Sequence, residues 1–428
     1  MPKKINFITL GCSKNKVDSE YLLKQFECNG YFVDFENYTD DFDIVIINTC
    51  GFILDAKEES INTIISFIKE KQKGKLSSII VFGCLIERYK EELTNELPEV
   101  DAFFGINSHK QILQFLDSKY NIEYENKRII TTPSHYSYLK ISEGCNRRCS
   151  FCAIPIIRGR LVSKNVEDLL EEAKYLSQKG VKELILIAQD LTTYGTDLYK
   201  KNKLDYLLNK LSDINDIEWI RLHYAYPAGF PINILNTINS NEKFCKYIDI
   251  PIQHISDHVL KSMKRGISKE KTKELLYTIR EKVSNVAIRT TLITGYPNET
   301  EENFAELYDF VKEFRFERLG VFGYSAEEGT AAYNIKQINS KRIINSRIQK
   351  IMKIQEKISA EVNKQHLNKK VKLIIDSKEE NYYIGRTQFD SPEIDNEVFV
   401  KTKKHLNVGQ FYDAFIYDSG NFELFAKV

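Results

Sequence analysis

Short β-branched and apolar runs alternate with longer amphipathic stretches through the first 120 residues. Ile5 to Gly11, Asp43 to Asn48 and Ser78 to Gly83 have strand length and character, whereas Val17 to Asn29, Ala56 to Lys73 and Arg88 to Leu97 carry helical apolar spacing. The pattern predicts a small α/β domain over 1–120 with a mostly parallel sheet. The polar stretch Glu123 to Ser137, interrupted by Pro133, reads as a linker. A second domain is expected over 131–362, where six strand-like runs recur: Tyr138 to Gly144, Glu183 to Asp190, Ile217 to Tyr226, Tyr247 to His254, Val286 to Gly295 and Arg318 to Tyr324. Helical patterns such as Glu167 to Gln178, Leu204 to Ile214, Lys269 to Val283 and Thr300 to Phe314 lie between them. Six β/α units in series predict a partial barrel, shorter than the eight-fold one, with its chemistry at the carboxyl ends of the strands. Ser340 to Lys364 reads as a long polar helix with periodic Ile and Met. After it the texture changes: Lys372 to Asp376, Tyr382 to Phe389, Val398 to Thr402, Gln410 to Tyr417 and Phe422 to Val428 predict a small five-stranded, oligonucleotide-binding-like β-barrel over 363–428.

Composition narrows the function classes. With 42% apolar residues in 428, the chain has material for two or three buried cores. The 61 basic and 60 acidic residues leave a net charge of +1, which excludes a global pull toward nucleic acid or anionic membrane; such a partner needs a local patch. No run approaches the roughly 18–20 apolar residues of a membrane span, and the start Met-Pro-Lys-Lys-Ile-Asn-Phe lacks a secretory apolar segment, so a cytoplasmic protein without a membrane partner is expected. In that compartment eight cysteines point to metal or redox chemistry rather than to disulfides.

Their spacing carries the chemistry. Cys145, Cys149 and Cys152 form a CxxxCxxC loop just after the first strand of the partial barrel. Three thiolates on one short loop suit three irons of a 4Fe-4S cluster and leave the fourth iron open to a small chelating molecule. A structural zinc site is the alternative, but it wants four closed ligands, and no nearby His or Cys completes a set. Cys12, Cys50 and Cys84 each fall at the end of a strand of the first domain, where open α/β sheets carry ligands. Taken singly, each reads better as a small buried hydrophobe. Cys28 and Cys245 fit neither set and read as structural.

With Phe151 before the last cysteine, the CxxxCxxC loop resembles the hallmark of the radical S-adenosylmethionine (SAM) superfamily. Leu10-Gly11-Cys12-Ser13 and Asn48-Thr49-Cys50-Gly51-Phe52-Ile53 resemble the amino-terminal domain of its methylthiotransferase family, and the terminal barrel resembles a TRAM domain. The resemblance thus covers almost the whole chain. It implies two 4Fe-4S clusters, one on Cys145, Cys149 and Cys152 that binds and reductively cleaves SAM, the other an auxiliary cluster on Cys12, Cys50 and Cys84 that carries the sulfur for transfer. Within the family, Cys-Ala-Ile-Pro-Ile-Ile-Arg-Gly from Cys152, Tyr-Ala-Tyr-Pro at 224–227, Asp-Ile-Pro-Ile-Gln-His at 249–254, Arg289-Thr-Thr-Leu-Ile-Thr-Gly-Tyr-Pro and Gly385 to Asp395 are similar to the branch that modifies ribosomal protein S-twelve.

That branch implies a methylthio group added to the β-carbon of an aspartate, giving 3-methylthioaspartate. It also implies a partner in the small ribosomal subunit and a flavodoxin or ferredoxin type electron donor; the sulfur donor is unspecified. A tRNA adenosine 2-methylthiotransferase is the first alternative, and a non-catalytic, metal-stabilised ribosome-binding factor the second. Charge bears on the choice: from Asn363 onward ten Lys or Arg face ten Asp or Glu, whereas a domain gripping tRNA should be basic. The acidic run Asp390 to Glu397 suits a basic ribosomal protein, or else is a solvated loop. The Gly-Gly-Glu element of many radical SAM enzymes is replaced by Ala188-Gln189-Asp190. Gln189, Gln253 and Arg289 are candidate SAM contacts, with ordinary strand-end hydrogen bonding as the alternative, and Gly295 is a candidate for close approach to the adenine.

Overall fold

The computed structural model describes residues 3–38 and 42–428. The amino-terminal sheet runs β1 (Lys4–Thr9), β2 (Phe32–Phe35), β3 (Ile44–Thr49), β4 (Ser78–Gly83) and β5 (Ala102–Phe104) in the parallel order β2-β1-β3-β4-β5. Helices α1 (Ser13–Cys28), α2 (Leu54–Gln72), α3 (Cys84–Glu96) and α4 (His109–Phe115) cover it. A strand buried on both faces is apolar at successive rather than alternate positions, and β3 runs Ile-Val-Ile-Ile before ending in Asn48 and Thr49, whose buried side chains donate to the Asn15 and Phe82 carbonyls. Each of its Ile and Val side chains contributes about 1.5–3 kcal/mol by leaving water.

The chain then passes into an open parallel sheet of six strands in sequential order: β6 (Tyr136–Lys140), β9 (Glu183–Ile187), β10 (Trp219–Leu222), β11 (Phe244–Asp249), β12 (Ala287–Thr294) and β13 (Arg318–Gly323). A small antiparallel pair, β7 (Ser142–Glu143) with β8 (Val162–Ser163), closes the loop after β6. The connecting helices are α5 (Ile154–Ile157), α6 (Val166–Gln178), α7 (Leu204–Ser212), α8 (Ile234–Ser240), α9 (Asp257–Ser262), α10 (Lys269–Lys282) and α11 (Glu301–Phe314). The long helix α12 (Lys341–Lys364) buries Ile351 and Ile358 against this core. Five strands then close a barrel in the order β14 (Lys370–Lys378), β15 (Tyr383–Thr387), β16 (Glu397–Val400), β18 (Glu423–Lys427) and β17 (Phe411–Ser419). Among the described residues no helix is long and apolar enough to cross a membrane.

Two expectations are corrected. The stretch Glu123 to Ser137 is not a solvated linker: its Arg128 is fully buried, pairs with Glu20 of α1 and donates from Nε to Glu172 of α6 at 2.8 Å. Polar composition signals exposure only when the polar groups lack buried partners, and here both partners come from distant segments. The acidic run Asp390 to Glu397 is likewise not simply a solvated loop: Asp390 and Asp395 are turned inward against the six-stranded core, whereas Glu393 and Glu397 are exposed. Asp390 accepts from Arg318 (2.8 Å), Asp395 from the Tyr247 hydroxyl (2.7 Å), and Glu393 from Tyr136 (3.0 Å) and Tyr138 (3.2 Å). Ser391 lies 2.9 Å from Nε2 of His223. Asp390, Glu393 and Asp395 fasten the terminal barrel to the core, while Glu393 and Glu397 keep carboxylates at the surface.

Candidate active site

Strand register brings the first three cysteines together. Across the parallel ladder Thr9 pairs with Asn48 and Thr49 with Gly83, so Cys12, Cys50 and Cys84 emerge from adjacent strand ends. The order β2-β1-β3 places Cys12 and Cys50 on either side of the point where the winding reverses, the usual crevice for a ligand in an open α/β sheet. Cys12 caps α1 and Cys84 opens α3. Gly11, at φ 93°, permits the crowding: a Cβ there would lie 2.7 Å from the Cβ of Cys50 and 3.0 Å from its sulfur.

The second set sits on the loop after β6. Cys145 N–H donates to the Gly159 carbonyl (3.1 Å), Ser150 N–H to the Met263 carbonyl (3.0 Å), and Ala332 N–H to the Ser150 carbonyl (2.7 Å). All six cysteines line one cavity of about 340 Å³ between the first domain and the carboxyl ends of the six strands. Burial pushes the Cys84 and Cys152 thiols up to about 12 and Cys145 up to about 11, and raises Cys50 as well. Only a cationic centre that compensates the lost hydration makes these thiols give up their protons near neutral pH.

A buried charge cluster lies beside the Cys84 sulfur. Arg158 donates to the Cys84 sulfur (3.2 Å), Asp18 (2.9 Å) and Glu143 (2.9 Å), and Lys140 bridges Glu143 (2.8 Å) and Asp18. Burial penalises the Asp18 carboxylate, but Lys140 and Arg158 outweigh it and hold the carboxyl at about 2. On the far wall the Tyr226 ring lies between two guanidinium groups, Arg147 and Arg265, each 4.1 Å from its centroid. Arg265 also donates to the Cys149 sulfur at 3.4 Å.

Of the four candidate SAM contacts, two line the cavity. Gln189 commits its amide N–H to Glu143 (2.6 Å), which leaves Oε1 buried without a partner, and Gln253 Oε1 is buried and unpartnered too. Gln253 (φ 70°) and the neighbouring lining residue Tyr224 (φ 65°) hold left-handed backbone conformations that cost a non-glycine residue of order 1–3 kcal/mol. Arg289 and Gly295 lie elsewhere. Arg289 pairs with Asp249 (3.1 Å) and Asp395 (3.4 Å), and Asp249 in turn accepts the Tyr224 N–H (3.0 Å), so Arg289 stands one layer behind the wall. Gly295 admits α12: a Cβ there would lie 2.3 Å from Ile344.

Comparison with known proteins agrees with this arrangement. Residues 139–311 match the radical SAM superfamily, 4–105 match the uncharacterized protein family UPF0004, and 369–428 match the TRAM domain. Over 426 residues, 99% of this chain and 98% of the relative, the chain is 50% identical to the ribosomal protein uS12 methylthiotransferase RimO of Cytophaga hutchinsonii. It is 50% identical to that of Bacteroides thetaiotaomicron over 428 residues, 100% of this chain and 98% of the relative. The chain belongs to the ribosomal protein uS12 methylthiotransferase family. Among solved structures, the radical SAM methyltransferase TsrM from Kitasatospora setae shares the fold of this methylthiotransferase with a TM-score of 0.59 at 12% identity, over 78% of this chain and 77% of that one. The cobalamin-dependent radical SAM enzyme OxsB gives 0.54 at 13% identity, over 81% and 56%.

The methylthiotransferase is a radical SAM enzyme, and its family works with SAM and two 4Fe-4S clusters. The cavity fits those groups: two thiol triads face one space, and two buried amide oxygens beside them lack any protein donor. Among the described residues no three His, Cys, Asp or Glu side chains converge on a point for a single metal ion; the thiols are spread around the wall. Sequence reasoning assigned no role to Arg158, Tyr224 or Tyr226, although Arg158 and both tyrosines lie in motifs that carried the resemblance. Arg147 lies inside the CxxxCxxC loop without having been assigned a role, and Arg265 lies in no motif that was singled out. Their importance arises from contacts between segments far apart in the chain.

A cation and a hydrogen bond at a ligand sulfur stabilise the reduced, more negative state of a cluster. Arg158→Met is therefore expected to shift the reduction midpoint of the cluster on the Cys84 side negative, with Arg158→Lys recovering part of the shift, as read by potentiometric titration followed by electron paramagnetic resonance.

Proposed function

We propose that this methylthiotransferase adds a methylthio group to the β-carbon of an aspartate of ribosomal protein uS12, giving 3-methylthioaspartate. The observation that carries the reading is the convergence of six cysteines, in two triads, on one cavity with two partnerless amide oxygens. The substrate comes from relatives that are about half identical along the full chain and are ribosomal protein uS12 methylthiotransferases. We assign 1–120 to the domain holding the auxiliary cluster, 131–362 to the radical SAM core and 363–428 to the TRAM-like barrel.

Cys145, Cys149 and Cys152 would hold the cluster that binds SAM, and Cys12, Cys50 and Cys84 the auxiliary one. When bound, these groups supply one-electron cleavage of SAM, a transferable sulfur and a methyl group. The chain's own residues orient and insulate them. Gln189 Oε1 and Gln253 Oε1 are acceptors suited to the ammonium and ribose hydroxyls of SAM. Phe52, Phe151, Ile154 and Ile157 give the cavity apolar walls that keep water from a reactive centre. Arg289, through Asp249, holds the Tyr224 backbone in place, and Gly295 keeps α12 close behind β12.

No side chain of the cavity supplies the electron for reductive cleavage, so an external donor of flavodoxin or ferredoxin type belongs to the proposal. A ribosomal protein substrate and thiols that must stay reduced fit the cytoplasm. In a strain lacking the gene, intact-mass measurement of uS12 is expected to show loss of one methylthio group, with tRNA nucleosides unchanged. Loss of a methylthio-nucleoside with uS12 unaltered would overturn the substrate assignment.

A further inference from the structure

The cavity that gathers the six cysteines is cationic: Lys14, Arg147, Arg158 and Arg265 line it, and among the described residues no carboxylate does. Three of these cations are committed within the protein: Arg158 pairs with Asp18 and Glu143 (2.9 Å each), Arg147 with Asp190 (2.8 Å), and Arg265 donates to the Pro251 carbonyl (2.6 Å) and the Cys149 sulfur. Lys14 is not. It is 7% exposed and its ammonium stands 3.1 Å above the centroid of the Tyr224 ring, yet among the described residues it has no carboxylate and no hydrogen-bond acceptor.

A buried cation without an anionic partner is costly, and an aromatic ring lowers that cost without neutralising the charge. The backbone is bent to supply the ring: Tyr224 holds its left-handed conformation (φ 65°) with its N–H donated to Asp249 (3.0 Å). The plain alternative is that Lys14 offsets the charge of the cysteine thiolates. The cations placed for that work are Arg158 and Arg265, which donate to the Cys84 and Cys149 sulfurs, whereas Lys14 donates to no sulfur among the described residues.

From this arrangement we infer that Lys14 binds the side-chain carboxylate of the substrate aspartate, and so selects an acidic residue and presents its β-carbon. The inference rests on the proposed function and deepens it. A carbon that gives up hydrogen and gains sulfur must stand within reach of both reactive groups, and the carboxylate is one bond from that carbon. The cation that holds the carboxylate therefore belongs beside the sulfur-carrying set. Lys14 follows Cys12 by two residues in the first turn of α1, whereas Arg147 lies between Cys145 and Cys149 and Arg265 contacts Cys149. An ammonium steadied by a ring keeps N–H donors for an incoming anion.

The test is a binding cycle on the full-length, cluster-loaded enzyme. Amino-terminally fluorescein-labelled uS12, and the same protein with its modified aspartate, located by tandem mass spectrometry, changed to asparagine, are titrated by anisotropy against the parent, Lys14→Met and Lys14→Arg. The parent is expected to bind the aspartate form about tenfold or more tightly, because loss of one partner of a desolvated charge pair leaves the other uncompensated. Lys14→Met should bind the two forms alike, and Lys14→Arg should recover part of the preference, each with about eight irons per chain. Lys14→Gln takes the place of Lys14→Met if the latter loses iron. If Lys14 instead holds the carboxylate of SAM, the neutral variant weakens SAM binding in equilibrium dialysis and keeps the preference for aspartate. If it only offsets cluster charge, the preference is kept while a cluster midpoint moves. Either result, or a parent without the preference, would overturn the inference. Failure of the parent to add a methylthio group to uS12, read separately by intact mass, would overturn the proposed function and this inference with it.

Discussion

Cys149→Ala protein is expected to retain about four irons per chain where the parent holds about eight, and to form no 5′-deoxyadenosine from SAM. Cys149 belongs to the triad on the loop after β6, and its sulfur lies 3.4 Å from both the Tyr226 hydroxyl and an Arg265 nitrogen. Removal of one ligand from a three-cysteine set takes the whole cluster with it, whereas the triad of Cys12, Cys50 and Cys84 rests on a separate sheet. Cys50→Ala should therefore give the complementary phenotype: about four irons, SAM still cleaved, and no sulfur transferred. Iron and sulfide analysis with chromatography of the SAM products, both under anaerobic conditions, reads the two variants side by side. Continued SAM cleavage by Cys149→Ala with its other cluster intact would refute the assignment of the loop.

The second large effect concerns how the two domains are held in register. Arg128 lies between Glu20 and Glu172, all three essentially buried. Glu20 also accepts from the Thr131 backbone (2.7 Å), and Glu172 from Lys164 (3.1 Å). Arg128→Ala would leave two carboxylates in a desolvated space with too little positive charge. Breaking a buried ion pair in this way costs about 3–5 kcal/mol. The denaturation midpoint should fall accordingly. Arg128→Met combined with Glu20→Leu and Glu172→Leu should recover part of the loss, because the fully desolvated triad then holds no charge and Lys164, 28% exposed, keeps access to solvent. A triple variant as unstable as the single one would show that packing, not charge, sets the cost.

What was legible in the sequence follows a physical division. Continuous apolar runs such as 44–47 and 184–187 identify their strands because both faces are buried. The short strands Phe32–Phe35 and Ala102–Phe104 escaped notice: both lie at sheet edges, with four and three residues and partly exposed faces, so no run or alternation marks them. The cysteine loop was legible because its three ligands lie within eight residues. Gln189 and Gln253 were reachable as strand-end polar residues, but Arg289, an equally good candidate on that criterion, is consumed by Asp249 and Asp395.

By itself the sequence determined the order of three folding units, the elements within them, and two sets of cysteines with the chemistry such sets suit. The elements and the CxxxCxxC loop depend on local periodicity and short-range spacing, which the covalent chain carries directly, whereas Cys12, Cys50 and Cys84, 38 and 34 positions apart, were grouped by their places at strand ends and by the family resemblance. Only the tertiary structure decided that Cys12, Cys50 and Cys84 share a cavity with the CxxxCxxC loop, that Arg158 reaches the Cys84 sulfur, and that Asp390 and Asp395 are spent on the core. Ion pairs and cavities form between residues dozens to hundreds of positions apart. The same polar residue is a solvated loop, a domain fastener or a ligand contact according to which distant partner the fold delivers to it.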